Sequence, residues 1–372
     1  MREFFIHKIL KLDLDILPIK DWLPTYSKPL LIAGPCSAES EEQMLSTGRL
    51  IAQNFPNAIF RAGIWKPRTR PNTFEGIGDI GLEWLKKVKQ DTGMLIATEV
   101  ATSEHVEKCL KAGVDILWIG ARTTVNPFSV QDIADVLKGV DIPVFVKNPI
   151  YPDAQLWAGA LERINNAGIK KIAAIHRGFH SYDNGPFRNS PKWELAIDLK
   201  AACPQLPVIC DPSHIGGNPE LIPYIAQKAM DMDMDGLMIE THINPSVALS
   251  DAQQQITPLQ LKEVVCGLQI RKSSIESLDL KTQLDELRSL IRKLDDELLE
   301  LLAKRMAVSE KIGEYKRDNN ITILQLNHWK SLFDKSLDTA TKLGLPKDFI
   351  KGLYQLIHDE SIRRQTDIMN KK

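Results

Sequence analysis

Six cationic side chains stand just after short apolar runs in the first half of the chain: Arg61, Lys66, Arg68, Arg122, Lys147 and Arg177. Brought together without a ligand they would repel one another, so their natural occupants are anions. Arginine offers a planar fork to carboxylate or phosphate, and lysine a compact charge. Six such groups suit more than one anionic group, as in two phosphorylated or carboxylated small molecules. Any one of them alone reads as a solvated loop charge. A second set, Cys36, His214, Glu240 and Asp251, has mixed sulfur, nitrogen and oxygen donors that suit a divalent first-row transition metal. On residue chemistry alone His242 could stand in for His214 and Glu99 for Glu240, and Cys36 could be a packed thiol.

Eight runs carry these groups at their ends: Leu30–Ala33, Ala58–Arg61, Leu95–Val100, Ile116–Gly120, Val144–Lys147, Ile172–His176, Val208–Asp211 and Gly236–Glu240. Their starts lie 21 to 37 residues apart, room for one helix and two short loops. Candidate helices are Glu41–Asn54, Gly81–Gln90, Ser103–Ala112, Val130–Leu137 and Gln155–Asn166. Strands apolar on both faces and alternating with helices predict a parallel sheet. Eight units in this span predict an α/β fold of the (β/α)8, or TIM-barrel, type, whose chemistry lies where strands end and loops begin. The alternative, an open doubly wound sheet, lacks the G-x-G-x-x-G expected after its first strand. Barrel closure would set the end of the eighth strand beside that of the first, and with it Glu240 beside Cys36.

The 372 residues carry 47 basic and 48 acidic groups, with 26% charged and 43% hydrophobic residues. That balance predicts a globular protein and gives no reason to expect a nucleic-acid partner. No apolar run approaches the ~20 residues that span a bilayer, and the first residues meet charge too soon for a signal peptide. The five cysteines form no C-x-x-C pair and read as reduced thiols. No membrane association and a cytoplasmic location are expected. Beyond residue 278 the chain holds one proline, Pro346, and three glycines of the 21 of each in the whole chain. Turn-rich chain gives way to chain almost without breakers. The expected division is an N-terminal extension over 1–28, a barrel over 29–268, a linker over 269–278 and a helical domain over 279–372.

In that last part Leu280, Leu284, Leu287, Ile291, Leu294, Leu298 and Leu301 follow 4,3 spacing. This predicts one long amphipathic helix to about Arg317. A second helix precedes Gly344-Leu345-Pro346, and a third runs from Pro346 toward the C-terminus. Arg305 occupies a seam position that should be apolar, a costly placement unless it is paired. Lys316 lies 11 residues further, about 16 Å along the helix, so the two cations could grip both ends of a small dianion. Ser361 and Gln365 share a face of the third helix. A coiled-coil dimerisation arm is the alternative.

Gly34-Pro35-Cys36-Ser37, Lys66-Pro67-Arg68-Thr69, Gly120-Ala121-Arg122, Asp211-Pro212-Ser213-His214 and Ser250-Asp251-Ala252-Gln253-Gln254-Gln255 resemble the type I beta 3-deoxy-D-arabino-heptulosonate-7-phosphate synthases over about 28–268. The related 3-deoxy-octulosonate-8-phosphate synthases, an alternative for the barrel, typically have Lys-Ala-Asn-Arg in place of Lys66-Pro67-Arg68-Thr69. The resemblance implies an aldol-like condensation of phosphoenolpyruvate with erythrose 4-phosphate, with release of phosphate. It implies a divalent cofactor of the Mn, Fe, Co or Zn type on Cys36, His214, Glu240 and Asp251, acting as a Lewis acid on the aldehyde. It places phosphoenolpyruvate on Arg61, Lys66, Arg122, Lys147 and Arg177, with Lys66 and Lys147 catalytic, and erythrose 4-phosphate on Pro67, Arg68 and Thr69. Glu99 is a candidate for organising water or a proton. Relatives often continue the lysine as Lys-Arg-Gly, where this chain has Lys147-Asn148-Pro149.

Leu287-Arg288-Ser289-Leu290-Ile291, Leu294-Asp295-Asp296-Glu297-Leu298-Leu299 and Ala303-Lys304-Arg305 are similar to the all-helical chorismate mutases over about 279–369. That family implies an intertwined dimer converting chorismate to prephenate. Arg305, Lys316, Ser361 and Gln365 match active-site positions, with Arg305, Lys316 and Gln365 catalytic, and Arg288 matches the arginine lent by the partner chain. Gln325, His328 and Trp329 replace the family's Asp, Arg and Glu. Together the resemblances imply a bifunctional shikimate-pathway enzyme, at least a homodimer. With only about 28 residues before the first strand, feedback by prephenate or a related end product is expected through the helical domain. A non-catalytic sensor or a dimerisation arm is the alternative for that domain.

Overall fold

The computed structural model describes residues 10–66, 73–182, 185–272, 277–324 and 326–370, with side chains left aside at 326–330. The chain divides into two compact units, Met1–Ser273 and Ser274–Lys372.

In the first unit eight parallel strands close into a barrel in sequence order. They are β1 (Leu30–Gly34), β2 (Ile59–Arg61), β3 (Ile96–Val100), β4 (Ile116–Ile119), β5 (Val144–Lys147), β6 (Ile172–His176), β7 (Val208–Cys210) and β8 (Gly236–Glu240). Each lies within a residue or two of its apolar run. Closure pairs β1 with β8, with Gly34 opposite Glu240. Helices Glu41–Asn54 and Ser103–Ala112 match their predicted bounds, and Ile80–Thr92, Pro127–Val136 and Ala154–Asn166 differ by a few residues. Local chemistry sets their starts: the Ser40, Thr102, Asn126 and Asp153 side chains each accept from a first-turn N–H. Pro127, which needs no donor in a first turn, opens its helix earlier than the apolar pattern suggests.

Side chains alternate across each strand. One set packs outward against the helices. The other fills the barrel with Ile32, Ile59, Ala97, Trp118, Phe145, Ile175, Ile209 and Met238. The N-terminal extension belongs to this core. Leu17 N–H bonds Lys170 O at 2.9 Å, just before β6, and Ile19 and Leu23 join the inner cluster. Trp22 meets Phe145 edge-on at 6.2 Å. Residues 17–26 therefore stopper the barrel at the N-terminal ends of its strands, and the opposite end carries the charged residues.

His176 closes β6 on the outward face, fully buried among Trp157, Phe179 and Trp193. Burial pushes its pKa down to about 3, with the Pro191 carbonyl opposing. The unfolded chain takes up this proton near pH 6.5, and the folded chain does not until about 3, so stability falls as pH drops through that window. Between pH 7 and pH 5 the loss is expected to be about 2 kcal/mol. Urea unfolding of wild type and His176→Phe at both pH values checks this: the variant is expected to lose about 2 kcal/mol less, and an equal loss refutes it.

Among its described residues the second unit holds three helices, Leu278–Asp318, Leu326–Lys342 and Lys347–Met369. The first and third pack together, with Met306 and Gly313 on one against Ser361 and Gln365 on the other. All seven seam residues from Leu280 to Leu301 are exposed within a single chain. Among the described residues no helix is long and apolar enough to cross a membrane.

Candidate active sites

Two residues beyond the apolar filling of the barrel, the inward positions turn charged. Ile59 gives way to Arg61, Ala97 to Glu99, Phe145 to Lys147, Ile175 to Arg177, Ile209 to Asp211 and Met238 to Glu240. Strand alternation thus converts an apolar layer into a charged ring at the C-terminal mouth. At its centre the ligand atoms of Cys36, Glu240 and Asp251 lie within 4.8 Å of one another. Gly34 lets Cys36 reach this point: its φ is +148°, and a Cβ there would meet Arg61 O at 2.0 Å. Asp251 is also in the left-handed region, at φ +46°.

His214 borders this cluster, its Nε2 3.8 Å from Glu240 Oε1. Asp211 holds the other ring nitrogen, Nδ1, at 2.9 Å and also takes Lys147 Nζ at 2.8 Å. The donor set therefore fits a divalent metal. A thiol and two carboxylates converge, and the imidazole at their edge is oriented by a carboxylate behind it, as metal-binding histidines commonly are. Burial, then Glu240, pushes the Cys36 thiol up to about 12, so cation binding must displace its proton.

Cations surround this cluster. Arg61 is buried and donates to Glu240 Oε1 at 3.3 Å and Cys36 O at 3.1 Å. Lys66 Nζ lies 3.2 Å from Cys36 Sγ. Arg177 donates to Asn189 Oδ1 at 2.9 Å. Burial pushes its pKa down to about 10, which leaves it charged at neutral pH. Arg122 stands on a short helix, Ala121–Thr124, directly after β4. Pro67, Arg68 and Thr69 lie outside the described residues.

Sequence reasoning assigned no role to Asp211, Arg188, Asn148 or Gln254. Asp211 lay in plain view three residues before His214, an i,i+3 spacing that could have revealed it. Arg188 donates to Asp251 Oδ1 at 3.0 Å and also to Gln254, and Gln254 donates to Glu240 Oε2 at 2.6 Å. Asn148, where relatives often carry arginine, accepts from Arg177 N at 2.7 Å and donates to Gly178 O at 2.8 Å. It thereby ties the end of β5 to that of β6.

In the helical unit Arg305 donates to Ser361 Oγ at 2.7 Å. Lys316 Nζ donates to Gln365 Oε1 at 3.3 Å and to Ile323 O at 2.6 Å. Burial lowers the pKa of both cations. The four predicted residues therefore form two contacts across one helix pair. Arg288 is not brought to them: it stands 17 residues before Arg305, about 25 Å along the same helix, exposed and paired with Asp285 at 3.1 Å. Gln325 is outside the described residues, as are the side chains of His328 and Trp329.

Gly313 sets the spacing of this pair, since a Cβ there would lie 3.1 Å from Gln365 Cα. Gly313→Ala is expected to push the third helix away by a few tenths of an ångström and to slow the chorismate rearrangement that the resemblance implies about tenfold, because misplacement of this kind is costly in a preorganised site. Steady-state assay with circular dichroism checks this; unchanged turnover in a folded variant contradicts it.

Two family models match the chain: "DAHP synthetase I family" over residues 25–277 and "Chorismate mutase type II" over 287–366. A phospho-2-dehydro-3-deoxyheptonate aldolase of Thermotoga maritima is 30% identical over 235 residues, covering 63% of this chain and 67% of the relative. A 2-dehydro-3-deoxyphosphooctonate aldolase of Wolinella succinogenes is 28% identical over 263 residues, 63% of this chain and 96% of its own length. A crystal structure of the Thermotoga maritima DAHP synthase superposes with a TM-score of 0.59 at 26% identity, covering 75% of this chain and 79% of that one.

Proposed function

From the premise that the chain belongs to the DAHP synthetase I family and carries a chorismate mutase domain after its barrel in the sequence, the two domains of a bifunctional shikimate-pathway enzyme, we propose the following reactions and roles. The barrel condenses phosphoenolpyruvate with erythrose 4-phosphate and releases phosphate. The helical unit rearranges chorismate to prephenate. The observation that carries the first reading is the barrel mouth, where three metal-capable side chains lie within 4.8 Å of one another inside a ring of cations.

Arg61, Lys66, Arg122, Lys147 and Arg177 hold the phosphate and carboxylate of phosphoenolpyruvate, matching charge to charge. Pro67, Arg68 and Thr69 receive erythrose 4-phosphate. Cys36, His214, Glu240 and Asp251 hold the divalent metal. When bound, that metal supplies Lewis acidity toward the aldehyde oxygen. Asp211 keeps the His214 Nδ1 proton, which leaves Nε2 free as a donor atom. Glu99 orients water or carries a proton. In the helical unit Arg305 binds a carboxylate with Ser361 behind it, and Lys316 and Gln365 address the ether oxygen, where negative charge develops. The exposed leucine seam and the distance of Arg288 from Arg305 support a second copy of the chain, packed along the seam and lending its own arginine.

Incubating the full chain and Mn2+ with phosphoenolpyruvate and either erythrose 4-phosphate or arabinose 5-phosphate tests the barrel reading. Phosphate release with the four-carbon sugar alone is expected. Preference for arabinose 5-phosphate would favour the octulosonate reaction, a reading raised by the octonate aldolase relatives. The fusion also supports feedback: prephenate, or a related end product, is proposed to inhibit the condensation, and unchanged rates with prephenate and the aromatic end products sink that idea.

A further inference from the structure

Trp118 lies beneath the charged ring, in β4, on the inward face it shares with its register partners Glu99 and Phe145. It is fully buried. The Arg61 guanidinium carbon sits 4.9 Å from the centre of its ring and Lys147 Nζ 6.0 Å. Both are within range of attraction to the electron-rich face, an attraction that strengthens away from water. Its indole N–H donates to Glu99 Oε2 at 3.0 Å. One further observation separates this ring from ordinary barrel filling. Arg61 Nε is buried and has no hydrogen-bond partner among the described residues, so the ring face supplies what polar neighbours do not.

We propose that Trp118 is the positioning residue of the barrel mouth. Its face holds Arg61 and Lys147 at a set separation for one anion, and its N–H holds the Glu99 carboxylate beside them. The inference rests on reading the mouth as the phosphoenolpyruvate site. It assigns two separable jobs to one side chain. Phenylalanine keeps the face and loses the N–H, whereas leucine loses both.

The test is steady-state condensation kinetics of the full chain with Mn2+, phosphoenolpyruvate and erythrose 4-phosphate. Trp118→Phe is expected to keep KM for phosphoenolpyruvate within about threefold while kcat falls about tenfold, as Glu99 loses its tether. Trp118→Leu is expected to raise that KM at least about tenfold as well. Equal KM values in the two variants, or kinetics like wild type in both, overturn the proposal. If circular dichroism shows the leucine variant unfolded, a double-mutant cycle decides. The kcat loss of Trp118→Phe with Glu99→Ala should match that of Glu99→Ala alone, and additive losses overturn the tether. A wild-type chain that does not turn over these substrates overturns the parent reading instead, an outcome visible before any variant is compared.

Discussion

Asp211→Asn is expected to lower kcat/KM for the condensation by at least about 100-fold and to weaken binding of a probe cation such as Mn2+, while chorismate turnover by the same preparation is unchanged. Asp211 is fully buried and joins two candidate groups, Lys147 Nζ at 2.8 Å and His214 Nδ1 at 2.9 Å. Burial pushes its carboxyl up, but His214 and Lys147 outweigh this and hold it well below the usual carboxylate range. His214 is itself pushed down by burial, with Asp211 opposing, and Lys147 meets the Asp211 carboxylate directly. Asparagine matches the shape and forfeits both functions. It leaves a buried ammonium unpaired, a loss worth about 3–5 kcal/mol when one partner of a buried pair is removed. Its amide N–H2 also competes with the Nδ1 proton, which favours the tautomer whose Nε2 has no lone pair to give. Isothermal titration with Mn2+ and initial rates read the two effects. A folded variant with wild-type cation affinity and rate contradicts the assignment.

Lys316→Ala is expected to reduce kcat for chorismate about 100- to 1,000-fold, the usual loss when one donor to a developing oxyanion is removed, with the condensation unaffected. Lys316 is half-buried and already bonded to Gln365 Oε1 and to Ile323 O, so its ammonium is aimed before substrate arrives. Alanine is a good helix former, and the first helix should persist. Rate loss with unchanged helicity is the expected signature. A tenfold or smaller fall in kcat means that charge at this position is not what the rearrangement uses.

The barrel was legible because its strands are apolar on both faces and interrupted at intervals that admit one helix each. The metal-capable group was legible for a topological reason. Cys36 and Asp251 are 215 residues apart, yet barrel closure sets Gly34 opposite Glu240, and any chain with eight such units must make that junction. Less legible were residues whose role depends on a partner across the packed interior. Trp118 reads as one more apolar residue in a strand, and only the register that sets it beside Glu99 gives its N–H a function. Arg188 reads as a loop charge until Asp251 turns toward it through a left-handed backbone. Asn148 reads as a substitution and proves to be a brace between two strand ends. In the helical unit the misplaced charge of Arg305 signalled a need for a partner without saying which, and Ser361 meets it; an apolar seam says nothing about Gly313, whose Cα closely faces Gln365.

The central claim, two chemistries at two separate sites of one chain, is tested most directly by measuring both reactions on wild type, Asp211→Asn and Lys316→Ala prepared alike. The account predicts that wild type performs both, that Asp211→Asn loses only the condensation, and that Lys316→Ala loses only the rearrangement. Folded variants that lose both reactions together, or a wild type that performs only one, would contradict it.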